Sequence, residues 1–354
     1  MLRPTEESMK FTSLGRTGLK VSRLCLGTMN FGAKSDKEQS FAIMDRAVEL
    51  GINFFDTANR YGEPLGQGLT ESIIGEWLEK SQNRDRIVLA TKAFGPMGPG
   101  ANDEGLSAYH LRRACEASLT RLRTDHIDLY QMHHIDRGYP HFRSGKEYLN
   151  GDVANLRYPA HLKPGTPWEE IWQVMETLVA QGKISYAGSS NFAAWNIAQA
   201  NERARARHFY GTVSEQSKYS LLVRDVELEV LPACREYGVG FICYSPLGAG
   251  VLAGSHRTAE GGRRAADRLD DKTRKQLEAF EGICKKLGEE PANVALAWLL
   301  HNDVVTAPIV GPRTVEQLEA SVGALEIILE EEVLAALDEI FPGPGNQAPE
   351  AYAW

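Results

Sequence analysis

The sequence lacks the features that mark secreted, membrane-spanning and nucleic-acid-binding proteins. Its 354 residues include five scattered cysteines without a CxxC pair, which excludes a disulfide framework and a zinc ribbon. The longest apolar runs reach about eight residues, whereas a transmembrane helix needs roughly 20. The net charge of −8 argues against a nucleic-acid surface. The N-terminal stretch MLRPTEESMK also lacks the positively charged region followed by an apolar core that is typical of a signal peptide. We therefore expect a cytoplasmic protein without nucleic-acid or membrane partners.

A dinucleotide-binding fingerprint is also missing after the first predicted strand. The stretch there is GTMNFGAKSD, without the GxGxxG of an open, doubly wound nucleotide-binding sheet. Instead, short runs rich in Val, Ile and Leu alternate with helical patterns, which favours a closed parallel barrel. The predicted strands are 21–27, 52–56, 86–91, 127–132, 184–188, 212–216, 240–244 and 305–310. We therefore predict an α/β fold, a (β/α)8 TIM barrel.

Capping signals place helices between these strands. In 36–50, Asp36 and Gln39 have the spacing of a capping box, and Gly51 ends the apolar periodicity. Similar patterns predict helices over 70–80 and over 107–123, the latter capped by Ser107. The whole chain, 1–354, is expected to form one barrel domain with its core at about 10–342.

Four segments lie outside this alternation. The stretch KFTSLGRTGLKVS before the first barrel strand predicts a β-hairpin that plugs the N-terminal end of the barrel. Segments 135–167 and 254–272 exceed the roughly 12–15 residues of ordinary connections, so we expect long functional loops at the C-terminal face, where barrel enzymes hold their sites. The tail, 343–354, is rich in proline and glycine, and its position stays open.

Four polar residues occur at the ends of three successive predicted strands. Asp56 and Tyr61 lie in FFDTANRYGE, Lys92 closes RIVLATK, and His133 closes IDLYQMH. A tyrosine ordinarily has a pKa of about 10, and a neighbouring ammonium lowers it by favouring the phenolate. A carboxylate can hold that lysine charged, while a histidine can hydrogen-bond the oxygen that receives the proton. Each residue alone has a structural explanation, but the set predicts an enzyme site that protonates an oxyanion formed from a carbonyl.

Either His133 or His134 could face the site, because neighbouring residues of a strand face opposite sides. The inward set is either Leu129, Gln131 and His133 or the alternate residues, and the sequence leaves both open. Adjacent histidines also occur in metal sites, but no third ligand stands at a recognisable spacing. We therefore predict no metal.

The last predicted strand is followed by a second candidate site. Gly311 and Arg313 come directly after the strand, and Thr314 can cap a helix with Gln317 three residues on. A helix N-terminus with an adjacent arginine binds phosphate well. An ordinary capped helix with a surface arginine is an equally good explanation of these residues alone.

As an ordered set, the motifs of this chain resemble those of the aldo-keto reductases. They are FDTANRYGE, TK, IDLYQMHH, GSSNF, EQSKYSLL, YSPLGAGVLAG and IVGPRTVEQLEAS, and they extend over nearly the whole chain. The similarity is greatest to the bacterial and potassium-channel-β-like branch. It implies a barrel that binds NADPH (NADP+) across its C-terminal face without a Rossmann fold. It also implies that hydride passes to a carbonyl carbon while a tyrosine protonates the oxygen.

The resemblance implies roles for the four strand-end residues. Tyr61 would be the proton donor, adjusted by Lys92. Asp56 would pair with the lysine and border the cofactor, and His133 would orient the carbonyl.

The resemblance also implies a set of cofactor contacts. The carboxamide would be held by Ser190, Asn191 and Gln216, and Tyr244 would stack on the nicotinamide ring. The pyrophosphate would follow Ser245, Pro246, Leu247, Gly250 and Leu252. The adenosine 2′-phosphate would be bound by Gly311, Arg313 and Gln317. The expected set is completed by Thr28, Met29 and Ser321, the last of which stands where many members have an asparagine near the adenine.

These inferences together predict an NADPH-dependent oxidoreductase that reduces an aldehyde or ketone, a small-molecule carbonyl, to the alcohol. Aromatic residues in 135–167 favour a sugar-like or aromatic substrate. The alternative is a non-catalytic, NADPH-sensing regulatory subunit, as the channel-associated branch allows. Such a subunit would tolerate loss of the four strand-end residues, and all four are present, so the enzyme is favoured.

Overall fold

The structure is a computed structural model that describes residues 9–136, 165–254 and 269–348. Within them, eight parallel strands close into a barrel, and a two-stranded antiparallel sheet precedes it. This confirms the predicted (β/α)8 barrel with an N-terminal hairpin. The expectations for the loops 135–167 and 254–272, and for the end of the tail, fall largely outside the described residues.

The strands follow the predicted apolar runs closely. The hairpin consists of β1 (Phe11–Ser13) and β2 (Lys20–Ser22). The barrel strands are β3 (Cys25–Gly27), β4 (Phe54–Asp56), β5 (Val88–Ala93), β6 (Ile127–Met132), β7 (Ile184–Ser190), β8 (Thr212–Lys218), β9 (Gly240–Tyr244) and β10 (Val305–Val310). Consecutive barrel strands pair in parallel, and β10 closes the barrel on β3.

The predicted strand 21–27 is wrong as a single element. β2 ends at Ser22 and β3 begins at Cys25. The chain turns at Arg23, whose guanidinium donates to the carbonyl oxygens of Leu300 (2.7 Å) and Val305 (2.5 Å). These bonds fasten the turn to the adjacent part of the barrel, so the chain leaves the hairpin and enters the first barrel strand in a new direction.

Helices alternate with the barrel strands. They span Lys37–Glu49, Leu69–Ser81, Ala108–Leu122, Trp168–Ala180, Ala194–Arg205, Val230–Tyr237, Asp271–Leu287, Pro291–His301, Val315–Val322 and Glu331–Ile340. The predicted capping box is present, since Gln39 N donates to Asp36 Oδ1 at 2.8 Å and Asp36 N donates to Gln39 Oε1 at 3.2 Å. Ser107 caps its helix as predicted. No helix in the described ranges is long and apolar enough to cross a bilayer.

Side chains that point into the barrel form apolar layers below and a polar layer above. The apolar layers are built from Cys25, Phe54, Val88, Ala90, Leu129, Val213, Ile242 and Ala307, and the hairpin adds Leu14 and Val21 to the same buried cluster. The hairpin therefore closes the N-terminal end, as predicted. The next inward positions, two residues further along their strands, are Asp56, Lys92 and Gln131. Because strand side chains alternate, the top inward layer is polar and lies at the C-terminal face.

Candidate active site

The ammonium of Lys92 is the centre of this polar layer. The side chain is fully buried, and Nζ donates to Asp56 Oδ2 at 2.6 Å and to the Tyr61 hydroxyl at 3.3 Å. A third bond, of 2.8 Å, runs to the carbonyl oxygen of Thr57. Burial by itself would lower the pKa of Lys92, but the Asp56 charge and the Tyr61 contact together raise that pKa above its ordinary value. The lysine is therefore held as an ammonium directed at the phenol.

Two amides bind the other carboxylate oxygen of Asp56. Its Oδ1 accepts from Gln131 Nε2 at 3.1 Å and from Gln216 Nε2 at 2.8 Å. A buried carboxylate needs such donors, because an unsatisfied charge in the interior is costly. Gln131 was not predicted as a site residue, although its place two residues before His133 is a signal for it. Gln216 was predicted as a carboxamide contact, and here its amide nitrogen faces Asp56.

His133 lies beside Tyr61 on the same face of the barrel. The centroids of the two rings are 6.1 Å apart in an edge-on arrangement. His134 stacks on His133 at 5.4 Å and contacts Phe94 at 5.7 Å. Since Gln131 points into the barrel, the inward set of β6 is the one that contains His133. The structure thus brings Asp56, Tyr61, Lys92 and His133 together, and we call them the strand-end tetrad.

The charge state of His133 follows from its surroundings. Burial, and then the positive charges of Lys92 and Arg60 together with His134, lower the pKa of His133 well below its usual range. The imidazole is therefore neutral at neutral pH. A neutral imidazole can donate a hydrogen bond to a carbonyl oxygen without adding a third charge to the Lys92–Asp56 pair.

A second group of side chains meets where β7 and β9 end. Asn191 Nδ2 donates to the His133 carbonyl oxygen at 3.1 Å and to Ser190 Oγ at 2.9 Å. The Tyr244 hydroxyl donates to Asn191 Oδ1 at 2.9 Å. Ser190 Oγ in turn donates to the Gln216 carbonyl oxygen at 2.8 Å. The four predicted carboxamide and nicotinamide contacts therefore form one group, the amide cluster (Ser190, Asn191, Gln216 and Tyr244), adjacent to the tetrad.

Glu215 is a buried carboxylate beside the amide cluster, and the sequence analysis missed it. It is fully buried and accepts from Ser189 Oγ at 2.5 Å, from Ser217 Oγ at 2.7 Å and from Phe192 N at 3.0 Å. Burial raises the pKa of Glu215 to about 7, although its hydrogen bonds act in the opposite direction. An acidic residue next to Gln216 within a predicted strand was the available signal.

The segment after β9 presents main-chain atoms, rather than side chains, to a ligand. Ser245, Ala249 and Gly250 have positive φ values of 54°, 61° and 95°, which turn the chain sharply along the C-terminal face. The side chains of Pro246 and Leu252 are buried, while Leu247 is half-buried. The predicted pyrophosphate contacts along this segment therefore stay predictions that depend on main-chain atoms.

The adjacent part of the rim is formed by the ends of β3 and β10. Thr28 is buried and its Oγ1 donates to the Asp56 carbonyl oxygen at 2.9 Å, whereas Met29 is 37% exposed. The two rim loops are joined directly, because Asn30 Nδ2 donates to the Gly311 carbonyl oxygen at 2.8 Å. Thr28 therefore stabilises the strand end that carries Asp56, whereas the side chain of Met29 is accessible to a ligand.

The predicted phosphate site lies on this rim. Thr314 caps the helix Val315–Val322 by accepting from Gln317 N, and Gln317 Oε1 accepts from Arg313 N at 2.8 Å. The Arg313 guanidinium makes no ion pair with any residue that the structure describes. Ser321 is buried and its Oγ donates to the Leu318 carbonyl oxygen at 2.7 Å. Arg313 is thus available to an anion, while the Ser321 hydroxyl is engaged by its own helix.

Comparisons with known proteins cover almost the whole chain. A profile described as "Aldo/keto reductase family" matches residues 23–341. The chain is 52% identical over 353 residues to YrpG, an uncharacterized oxidoreductase of Bacillus subtilis. The aligned region covers 98% of this chain and 100% of that protein. It is 35% identical over 338 residues to norsolorinic acid reductase stcV of Emericella nidulans, over 92% of this chain and 79% of that protein. It is 31% identical over 357 residues to protein tas of Escherichia coli, over 95% and 100% of the two chains.

Proposed function

This chain belongs to the aldo/keto reductase family of oxidoreductases, and on that premise we propose that it reduces an aldehyde or ketone with NADPH, using Tyr61 as the proton donor. The observation that carries the proposal is the 3.3 Å contact between Lys92 Nζ and the Tyr61 hydroxyl. The Lys92 ammonium is in turn fixed by Asp56 at 2.6 Å. A phenol beside an ammonium that Asp56 keeps charged is suited to releasing a proton.

The strand-end tetrad donates the proton. Bound NADPH would supply the hydride that reduces the carbonyl carbon. As negative charge develops on the carbonyl oxygen, the Tyr61 hydroxyl gives it a proton, and the Lys92 ammonium stabilises the phenolate that remains. Asp56 keeps the Lys92 ammonium charged and directed at the Tyr61 hydroxyl. His133 donates a hydrogen bond to the same substrate oxygen and, being neutral, orients it without taking the proton.

The side chains on the C-terminal face suit this cofactor. The amide cluster presents amide and hydroxyl groups next to the tetrad, which complement a carboxamide, and the half-buried ring of Tyr244 offers a stacking surface. At the end of the neighbouring strand β10, the Arg313 guanidinium and a capped helix N-terminus complement a 2′-phosphate. The Arg313 guanidinium, which makes no ion pair with the described residues, supports NADPH in preference to NADH.

Consumption of NADPH by the purified protein tests the proposal. The panel contains aromatic aldehydes, dicarbonyls and ketosugars, and also norsolorinic acid because one relative is named for reducing it. Turnover of at least one carbonyl, with an alcohol as the product, supports the reductase. Tight NADPH binding with no turnover on any member would favour an NADPH-sensing subunit, and absence of NADPH binding would overturn the proposal.

A further inference from the structure

We propose that Glu215 is a positioning residue that holds Asn191 in the conformation needed to bind the cofactor. The inference rests on the proposed function, because it takes Asn191 to be a cofactor contact. Glu215 itself lies on the outer side of β8, since its neighbour Gln216 points into the barrel. It therefore cannot touch the reacting atoms, and any effect on catalysis must pass through the groups it binds.

The Glu215 carboxylate binds the chain on both sides of Asn191. Its Oε2 accepts from Ser189 Oγ at 2.5 Å, at the end of β7, and its Oε1 accepts from Phe192 N at 3.0 Å, in the turn that follows. Ser217 Oγ donates to Oε1 at 2.7 Å and fixes the carboxylate on β8. Asn191 therefore lies between two anchored residues, Ser189 and Phe192. Its own backbone N donates to the Gln216 carbonyl oxygen at 3.0 Å.

Asn191 needs this support because its backbone is in the left-handed region. Its φ is 61°, a conformation that non-glycine residues adopt uncommonly and keep only when their surroundings enforce it. The conformation aims its side chain at the His133 carbonyl oxygen (3.1 Å) and at the Tyr244 hydroxyl (2.9 Å). Relaxation of the turn would therefore disorder the amide cluster where it meets the tetrad.

A comparison with Glu71 separates this role from general structural support. Glu71 is equally buried, but it pairs with the Arg121 guanidinium at 2.7 Å and also accepts from Thr91 and Ser118. Within the described ranges, Glu215 has no cation within ion-pair distance, and its donors are neutral groups of the β7 and β8 ends. A buried carboxyl group without a counter-charge is explained by the donors it gathers around Asn191.

Two conservative variants test the proposal. Glu215→Asp keeps the charge but withdraws the carboxylate by one methylene, so it can no longer reach Phe192 N and both hydroxyls. Glu215→Gln keeps the reach, because Oε1 can still accept from Phe192 N while Nε2 donates to Ser189 Oγ. Glu71→Asp is the matched control, the same shortening at a fully buried carboxylate away from the amide cluster. For each protein we would measure the Kd for NADPH, the melting temperature and the cofactor-free crystal structure.

We expect Glu215→Asp to raise the Kd for NADPH about tenfold, as a roughly tenfold smaller population of the binding conformation requires. Its crystal structure should show Asn191 displaced and the bond from Tyr244 lost. Glu215→Gln should bind NADPH nearly as the unmodified protein does, and Glu71→Asp should lower the melting temperature without changing the Kd.

An unchanged Kd and an unchanged Asn191 in Glu215→Asp would overturn the inference, as would an equal rise in Kd in Glu71→Asp. If the unmodified protein does not bind NADPH, the proposed function fails on that measurement alone. The crystal structures then still decide whether Glu215 positions Asn191: a displaced Asn191 in Glu215→Asp supports that role, and an undisturbed one overturns it.

Discussion

Lys92 Nζ lies 3.3 Å from the Tyr61 hydroxyl oxygen, although the two residues are 31 positions apart in the chain. The same nitrogen lies 5.0 Å from the centroid of the Tyr61 ring. The contact arises because β4 pairs in parallel with β5, which brings the loop after Asp56 to the end of the strand that carries Lys92. The proposed chemistry depends on this contact, and the following predictions test it and its surroundings.

Replacement of Tyr61 by Phe removes the acid and keeps the ring. Proton donation by a positioned group contributes about 10²–10⁴-fold to rate, so we expect kcat for any reduced carbonyl to fall by that factor. The Kd for NADPH should be unchanged. The control is Tyr109→Phe, at a tyrosine that is 51% exposed, which should keep full activity. Comparable turnover in the Tyr61→Phe protein would rule out Tyr61 as the donor.

Replacement of Lys92 by Met leaves the Asp56 carboxylate buried without its cation. Breaking a buried ion pair in this way costs about 3–5 kcal/mol, which should appear as a lower urea midpoint. The double variant Asp56→Asn/Lys92→Met removes both charges, so we expect it to regain much of that free energy of unfolding while staying inactive. Equal stability of the single and double variants would show that Asp56 does not depend on Lys92.

The depressed pKa of His133 makes stability depend on pH. The unfolded imidazole, with a pKa of about 6.5, binds a proton more readily than the folded one, so the stabilisation is fully present above that pH and is lost as the pH falls below it. Relative to His133→Gln, which cannot titrate, the unmodified protein should lose free energy of unfolding between about pH 7 and about pH 5. Urea unfolding at several pH values measures this difference. His301→Gln, at an exposed histidine, is the control, and a difference independent of pH would contradict the prediction.

Reversal of charge at Arg313 tests the choice of cofactor. In Arg313→Glu a carboxylate replaces the guanidinium beside the helix N-terminus, so NADPH binding should weaken more than NADH binding. The Kd values for both cofactors, measured at one salt concentration, give the ratio. Arg112→Glu makes the same change at an exposed position on the helix Ala108–Leu122 and should leave the ratio unchanged. Equal weakening of both cofactors would remove the assignment of the 2′-phosphate to Arg313.

Elements defined by local patterns were predictable. The helix Lys37–Glu49 has its capping box at Asp36 and Gln39, and the helix Ala108–Leu122 has its cap at Ser107, because caps depend on residues three apart in the chain. The failure at 21–27 has the opposite cause. Nothing near Arg23 in the sequence shows that its guanidinium binds carbonyl oxygens of Leu300 and Val305, far along the chain.

The same division applies to the site. The residues of the strand-end tetrad were identifiable from the sequence because each follows an apolar run, and a parallel barrel gathers its strand ends on one face. The sequence by itself thus determined the fold class, the hairpin and which strand ends carry polar groups. Only the tertiary structure decided that β6 turns His133 rather than His134 toward Tyr61, that Gln131 and Gln216 share Asp56, and that Glu215 anchors the turn around Asn191. These relationships depend on strand register and barrel closure, which are set by hydrogen bonds between distant segments and leave no periodic pattern in the sequence.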